Sequence, residues 1–231
     1  MKLRGILLTS AIVPVLVICI SLATYVSIKS SNALMHENEV ALKAAVYGLR
    51  DDYSTTEENH YYIGEDGCMY NGEDWNISED YAILDEIKEN TGIMATIFFG
   101  NTRYATSVTK ADGTRAVGTT AGDAIVNTVV KNGQEYFAKN VDVAGTPCFA
   151  YYIPIYNDEN GQRVPVGMMF AGKPMSELNK EIMQIVNGII IMAIIMIAIS
   201  VAVVTWIAIR LSRRFGAGVE VLTKVADGDL P

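Results

Sequence analysis

IMATIFFGNTRYATSVTK (93–110) decides how this chain folds. Two runs of aromatic and β-branched residues flank Gly100-Asn101-Thr102, a spacing that suits a tight hairpin. KADGTRAVGT (110–119) follows with Asp112-Gly113, a second hairpin signal. Further on come QEYFAKNVDV (134–143), TPCFAYYIPIYN (146–157) and RVPVGMMFAG (163–172), joined by Ala144-Gly145 and by NDENGQ (157–162). The pattern predicts about five antiparallel strands. They are interrupted by AGDAIVNTVVKNG (121–133), a short helix with Ile125, Val126, Val129 and Val130 at helical spacing. Upstream, SEDYAILDEIKENTG (78–92) reads as another short helix, with Ser78 as N-cap, Tyr81 as a first-turn staple and Gly92 as its stop. The acidic, turn-rich segment 54–76 carries short strand candidates at Tyr61–Ile63 and 69–70. Before it, KSSNALMHENEVALKAAVYGLRDD (29–52) repeats apolar residues near a helical period, at Leu34, Val40, Ala41, Ala45, Val46 and Leu49. The expected class is α+β, with one core over the central ~155 residues. One sheet face is expected against the long helix. The other is covered by the middle segment, with a ligand pocket between sheet and covering loops.

Two uncharged runs bracket this region. Gly5 to Ile28 and Ile185 to Ile209 are 24 and 25 residues long. As helices they span roughly 36 Å against a hydrocarbon core of roughly 30 Å. The first run could also be read as a cleaved leader. It exceeds the usual apolar length of about 7–15 residues, and Ser27 to Ser31 is a poor cleavage site. Cys19 is no lipidation site, because bulky Ile18 precedes it. Pro14 is tolerated within a span. Lys2 and Arg4 precede the first run, and Arg210, Arg213 and Arg214 follow the second. Positive flanks stay in the cytoplasm, so both termini are expected inside a cell membrane and residues 29–184 outside.

The whole chain carries a net charge of −8, and 29–184 holds 23 acids against 12 bases. That balance excludes a nucleic-acid surface. No nucleophile-elbow, phosphate-loop or zinc-hydrolase motif is present, and His36 and His60 lie in different elements, so an enzyme, a metal and a cofactor are not expected. Glu57 to His60 reads as a solvated loop, and the Asn76 acceptor triplet carries no weight in a chain with bacterial features. Cys68 and Cys148 both fall in the outer region, and two cysteines make no disulfide framework.

Several of these stretches resemble the single Cache sensor domain of bacterial chemoreceptors. The matched features are the Gly-x-x-Arg hairpin at 100–103, Gly-Thr-x-Ala opening a helix at 118–121, and Gly-x-x-Tyr-Phe at 133–137. Tyr-Tyr-x-Pro-Ile at 151–155 and the closing VGMMFAGKP at 166–174 complete the set. The resemblance covers about 91–174 and implies a PAS-like Cache domain, a long N-terminal helix with about five antiparallel strands, set between two transmembrane helices. FGAGVEVLTKVADGDLP (215–231) resembles the first helix of a HAMP coupling module, with Phe215, Val219, Leu222 and Ala226 on a heptad seam and Gly-Asp-Leu near the end. Gly216 and Gly218 stand where such helices commonly carry proline. The implied organisation is 1–28 cytoplasmic start and first span, 29–184 sensor, 185–209 second span, and 210–231 the start of a truncated HAMP helix. Its downstream output module is absent.

Arg103 is the sharpest candidate, since a guanidinium offers a two-pronged fork to a carboxylate. In related citrate-type sensors, basic residues on this hairpin and before Pro-Ile hold carboxylates. Here Ala150 and Tyr152 occupy the latter positions, so the resemblance implies a small carboxylate, an amino acid or a neutral metabolite rather than a tricarboxylate. The alternative for Arg103 is a strand-edge ion pair. By alternation Arg103, Ala105 and Ser107 share one face and Tyr104, Thr106 and Val108 the other. The candidate ligand set is Arg103, Ser107, Thr106, Tyr136, Phe149, Tyr151 and Tyr152. Lys173 marks the return to the membrane. The expected function is the input region of a homodimeric methyl-accepting chemotaxis receptor. The alternatives are the input of a sensor kinase or diguanylate cyclase, and a stand-alone membrane-anchored binding protein.

Overall fold

A computed structural model describes residues 2–54, 59–159 and 161–226, with side chains described for 13–54, 59–158 and 161–210. Along the chain run α1 (Lys2–Asp52), β1 (Tyr61–Ile63), β2 (Met69–Asn71), β3 (Trp75–Asn76), α2 (Ala82–Thr91), β4 (Met94–Phe99) and β5 (Thr102–Thr106). Then come α3 (Asp123–Val126), which continues as a π-helical turn over Asn127–Lys131, β6 (Tyr136–Val143), β7 (Thr146–Glu159), β8 (Gln162–Pro174) and α4 (Met175–Ala226). Ala33–Glu181 forms one compact unit, and the segments up to Asn32 and from Ile182 onward form another.

The first unit is built on a five-stranded antiparallel sheet in the order β5-β4-β8-β7-β6. β4 and the 167–172 part of β8 sit inside it and read as nearly unbroken apolar runs because both their faces are covered. β7 holds Pro154, which falls just past the last β6 pair at Tyr136↔Tyr152. There β7 has a neighbour on one side only, so the missing N–H is tolerated. One sheet face, with Met94, Phe98, Ala150, Tyr152, Met168 and Phe170, packs on Val108, Ala116, Ile125 and Val129 of the middle segment. On α1, Leu42, Val46 and Leu49 are buried at helical spacing, and Tyr53 is buried just past its end. Lys43 of the same helix lies 5.5 Å from the Tyr151 ring on the other face. The architecture is thus α+β, with a long helix and a five-stranded antiparallel sheet. A second, three-stranded sheet, β1-β2-β3, covers the segment between α1 and α2.

Several local expectations are corrected. α2 begins at Ala82, with Tyr81 at its cap position and no side-chain cap. Ser78 lies in a 3₁₀ turn, where its Oγ accepts a bond from the Met69 amide at 2.8 Å, so the hydroxyl ties β2 instead of starting a helix. Gly92 does end α2, in the left-handed region at φ 72°. The 110–119 hairpin carries one bridge, Thr109↔Arg115, and Asp112 Oδ1 accepts the Thr114 amide in its turn. Cys68 and Cys148 are unpaired, and Lys173 pairs with Glu181 at 3.3 Å.

Val13–Asp52 of α1 and Met175–Arg210 of α4 contain stretches long and apolar enough to cross a membrane. The side chains of the 215–226 seam and the Gly-Asp-Leu at 228–230 lie outside the described residues, as do Glu57 and Glu58. Among the described residues no group of three or more His, Cys, Asp or Glu is placed to hold a metal.

Candidate ligand-binding site

β4 and β5 pair as Thr96↔Thr106 and Ile97↔Ala105, then as Phe98↔Arg103 and Phe99↔Thr102, so one residue of β5 is bulged out at Tyr104. A bulge inserts one unpaired residue and reverses the alternation beyond it. Arg103 therefore shares a face with Phe98, Thr96 and Thr106, while Ala105 lies with Ile97 on the other. This overturns the grouping of Arg103 with Ala105 and Ser107 that simple alternation predicts.

On that face a cavity of about 390 Å³ opens. Its walls are Phe98, Arg103 and Tyr152 from the sheet, the strap 118–122 leading into α3, and Val141, Asp142 and Ala144 at the β6–β7 turn. The strap is stitched along β5: the Arg103 amide donates to Thr119 O at 3.0 Å and the Gly118 amide to Arg103 O at 2.8 Å. Arg103 is 5% exposed. Its Nη1 donates to Thr119 Oγ1 at 2.6 Å, and Thr119 Oγ1 in turn donates to Ala116 O. The guanidinium stands 5.0 Å from the Phe98 ring centre. Its Nε is buried and makes no hydrogen bond to a described residue. No carboxylate among the described residues forms an ion pair with it. Burial pulls its pKa below the ordinary value, with Tyr152 and Cys148 acting weakly the other way. A buried cation without an acid costs free energy that an anionic guest would recover.

The remaining predicted residues fall in different places. Tyr152 is 3% exposed and lines the cavity with Arg103. Burial pushes its phenol pKa well above the ordinary range. Thr106 lies on the Arg103 face, but its hydroxyl bonds Thr96 Oγ1 at 2.7 Å, inside the packing. Ser107 bonds the Ala95 amide through Oγ at 2.9 Å and lines a separate depression with Asp85, Lys88 and Arg115. The cations there are already engaged, Arg115 with both Asp85 oxygens at 2.5 and 2.8 Å and Lys88 with Ser107 O at 2.8 Å. Tyr136 packs on the core beside Tyr152, with ring centres 6.5 Å apart. Phe149 and Tyr151 alternate with Tyr152 onto the α1 face, where Tyr151 Oη donates to Glu135 at 2.5 Å. Sequence reasoning did not single out Thr119, Asp142 or Ala144 for the site. Gly-Thr-x-Ala at 118–121 was visible as a motif, but nothing local showed it to be a wall.

Residues 75–185 match the family model of single Cache domain 3. The fold is that of a Cache domain. Among solved structures, the chain is similar to the sensory domain of the Campylobacter jejuni chemoreceptor Tlp3 (CcmL). The match has 12% identity and a TM-score of 0.41, and covers 76% of this chain and 65% of that one. The chain thus spans a little under two thirds of that structure. No curated protein matches. In this Cache domain the cavity lies between the sheet and the strap that crosses it.

Proposed function

We propose that this chain is the input region of a transmembrane chemoreceptor, and that its Cache domain binds a small molecule through a carboxylate. The observation that carries the reading is the buried Arg103 guanidinium at the cavity wall, with no acid among the described residues paired to it. The guanidinium N–H groups that line the cavity are the carboxylate's donors on this reading, and the Tyr152 hydroxyl adds another. β7 presents Tyr152 to the cavity and, one residue earlier, Tyr151 to the opposite face. There Tyr151, Tyr47 and Lys43 converge on Glu135, so a shift of β7 reaches α1. β8 runs directly into α4 at Pro174 to Met175, which supports a second route toward the apolar segment. On this reading the receptor is a homodimer, exposed Val40 marking the free side of α1, with residues 29–184 outside the cell membrane. Residues 210–231 begin a HAMP helix that hands an ångström-scale shift to an output module.

The test is calorimetric titration of the full chain in lipid nanodiscs with small carboxylates, amino acids and neutral analogues. Carboxylate-bearing probes bind, and Arg103→Gln lowers their affinity about tenfold or more while the melting temperature confirms folding. Carboxylate binding that survives Arg103→Gln unchanged overturns the site. A screen in which only neutral compounds bind overturns the ligand class.

A further inference from the structure

One residue of the strap holds both the main chain and the side chain of Arg103. The Thr119 carbonyl accepts the Arg103 amide at 3.0 Å, and the Thr119 hydroxyl accepts Nη1 of the same residue at 2.6 Å. The direction of the second bond is fixed. A threonine hydroxyl has one hydrogen, and that of Thr119 goes to Ala116 O at 2.7 Å, so toward the guanidinium it can only accept. The Phe98 ring centre lies 5.0 Å from the guanidinium carbon. An aromatic face and a hydroxyl therefore hold this buried cation, and no carboxylate among the described residues pairs with it. The strap keeps its register without that hydroxyl, since the Gly118 amide donates to Arg103 O at 2.8 Å and the Ala121 amide to Asn101 O at 2.9 Å.

We propose that Thr119 is a positioning residue for the ligand site, a neutral acceptor that aims the Arg103 guanidinium while leaving its charge free for a carboxylate guest. This rests on the site proposed above and names the side chain that sets its geometry. A buried guanidinium needs an acceptor, because an unsatisfied buried donor costs free energy. An acid in that place would satisfy the donor and also neutralise it, and the guest would then meet an ion pair instead of a cation. A hydroxyl satisfies one N–H and carries no charge. The arginine side chain has several rotatable bonds, and fixing one corner of its planar fork before the guest arrives removes part of the ordering cost of binding. Thr119 is half-buried between exposed Gly118 and Thr120, so exchanges of similar size there disturb little packing.

The experiment titrates the full chain in nanodiscs calorimetrically with acetate, propionate, lactate, pyruvate and succinate. It then compares Thr119→Val, Thr119→Ser and Thr119→Asp for the acid that binds the unmodified chain best, with melting temperatures confirming that each variant is folded. Thr119→Val keeps the shape and removes the acceptor, and affinity falls about tenfold. Thr119→Ser restores the acceptor, and affinity returns to that of the unmodified chain. Thr119→Asp puts an acid beside Nη1 and abolishes binding; if it unfolds the chain, the valine and serine variants decide alone. Undiminished affinity in Thr119→Val, a serine variant as weak as the valine one, or undiminished binding by a folded Thr119→Asp overturns the positioning role. Arg103→Gln separates the two levels. If it abolishes binding while Thr119→Val leaves it unchanged, the carboxylate site stands and only the role of Thr119 falls. If binding survives Arg103→Gln, or none of these acids binds the unmodified chain, the site falls and the role of Thr119 with it.

Discussion

Arg103 owes its place at the cavity partly to its own sequence neighbours and partly to a distant strand. Its isolation among apolar and hydroxyl neighbours was visible in the sequence, and its burial against Phe98 with an unbonded Nε follows from the fold. The face on which it lies was not visible, because a one-residue bulge between the Ile97 and Phe98 pairs reverses the alternation. Ala144 is a second case. It lines the cavity and is the non-glycine residue with positive φ among those described, at 51°. A side chain in the left-handed region costs about 1–2 kcal/mol, partly offset by the greater backbone entropy of glycine in the unfolded chain. Ala144→Gly is therefore expected to stabilise the folded domain by about 0.5–1 kcal/mol, read from denaturant unfolding. A loss of stability would show that the methyl group's packing outweighs the backbone strain.

Among the elements, α1, β6 and β7 meet at Glu135. Its carboxylate accepts bonds from Lys43 Nζ at 2.8 Å, Tyr151 Oη at 2.5 Å and Tyr47 Oη. These hydrogen bonds, that of Lys43 foremost, hold the Glu135 carboxyl at about 2, below its ordinary value of 4.5. Lys43 is correspondingly raised by the same partner. A depressed carboxyl pKa contributes stability that is fully present above the unfolded value and is lost as pH falls through the folded one. The melting temperature of the unmodified chain should thus fall as pH drops from about 5 to about 2. Glu135→Gln should lower the melting temperature at neutral pH, and the gap between the two proteins should close toward pH 2. A gap that stays constant across that range would remove the link between α1 and the sheet as an ionic one. None of this was legible locally, since Lys43 and Glu135 lie 92 positions apart and only strand pairing brings Tyr151 between them.

At the scale of the whole molecule, two apolar helical stretches bracket an acidic folded domain. The basic residues beyond both apolar runs predict that the Cache domain faces outward. Native thiols provide the check. Cys68 is partly exposed on the domain and Cys148 is buried. In a Cys19→Ser chain, a membrane-impermeant maleimide should label Cys68 in right-side-out vesicles and leave it unlabelled in sealed inside-out ones. The reverse pattern would invert the orientation and remove the extracellular sensor reading.

The linear pattern by itself determined what local physics controls. Uninterrupted apolar length marks the two candidate spans, period-two and β-branched runs mark the strands, and left-handed glycines such as Gly92 mark the ends of elements. Tertiary structure alone decided which of these residues face one another. Cross-strand register, one bulge and a strap bonded to β5 placed Arg103, Thr119, Asp142 and Tyr152 around one cavity, and sent Ser107, Phe149 and Tyr151 elsewhere. The reason is physical: the two-residue period of a strand says that neighbours point apart, but pairing with a distant strand sets which face is which.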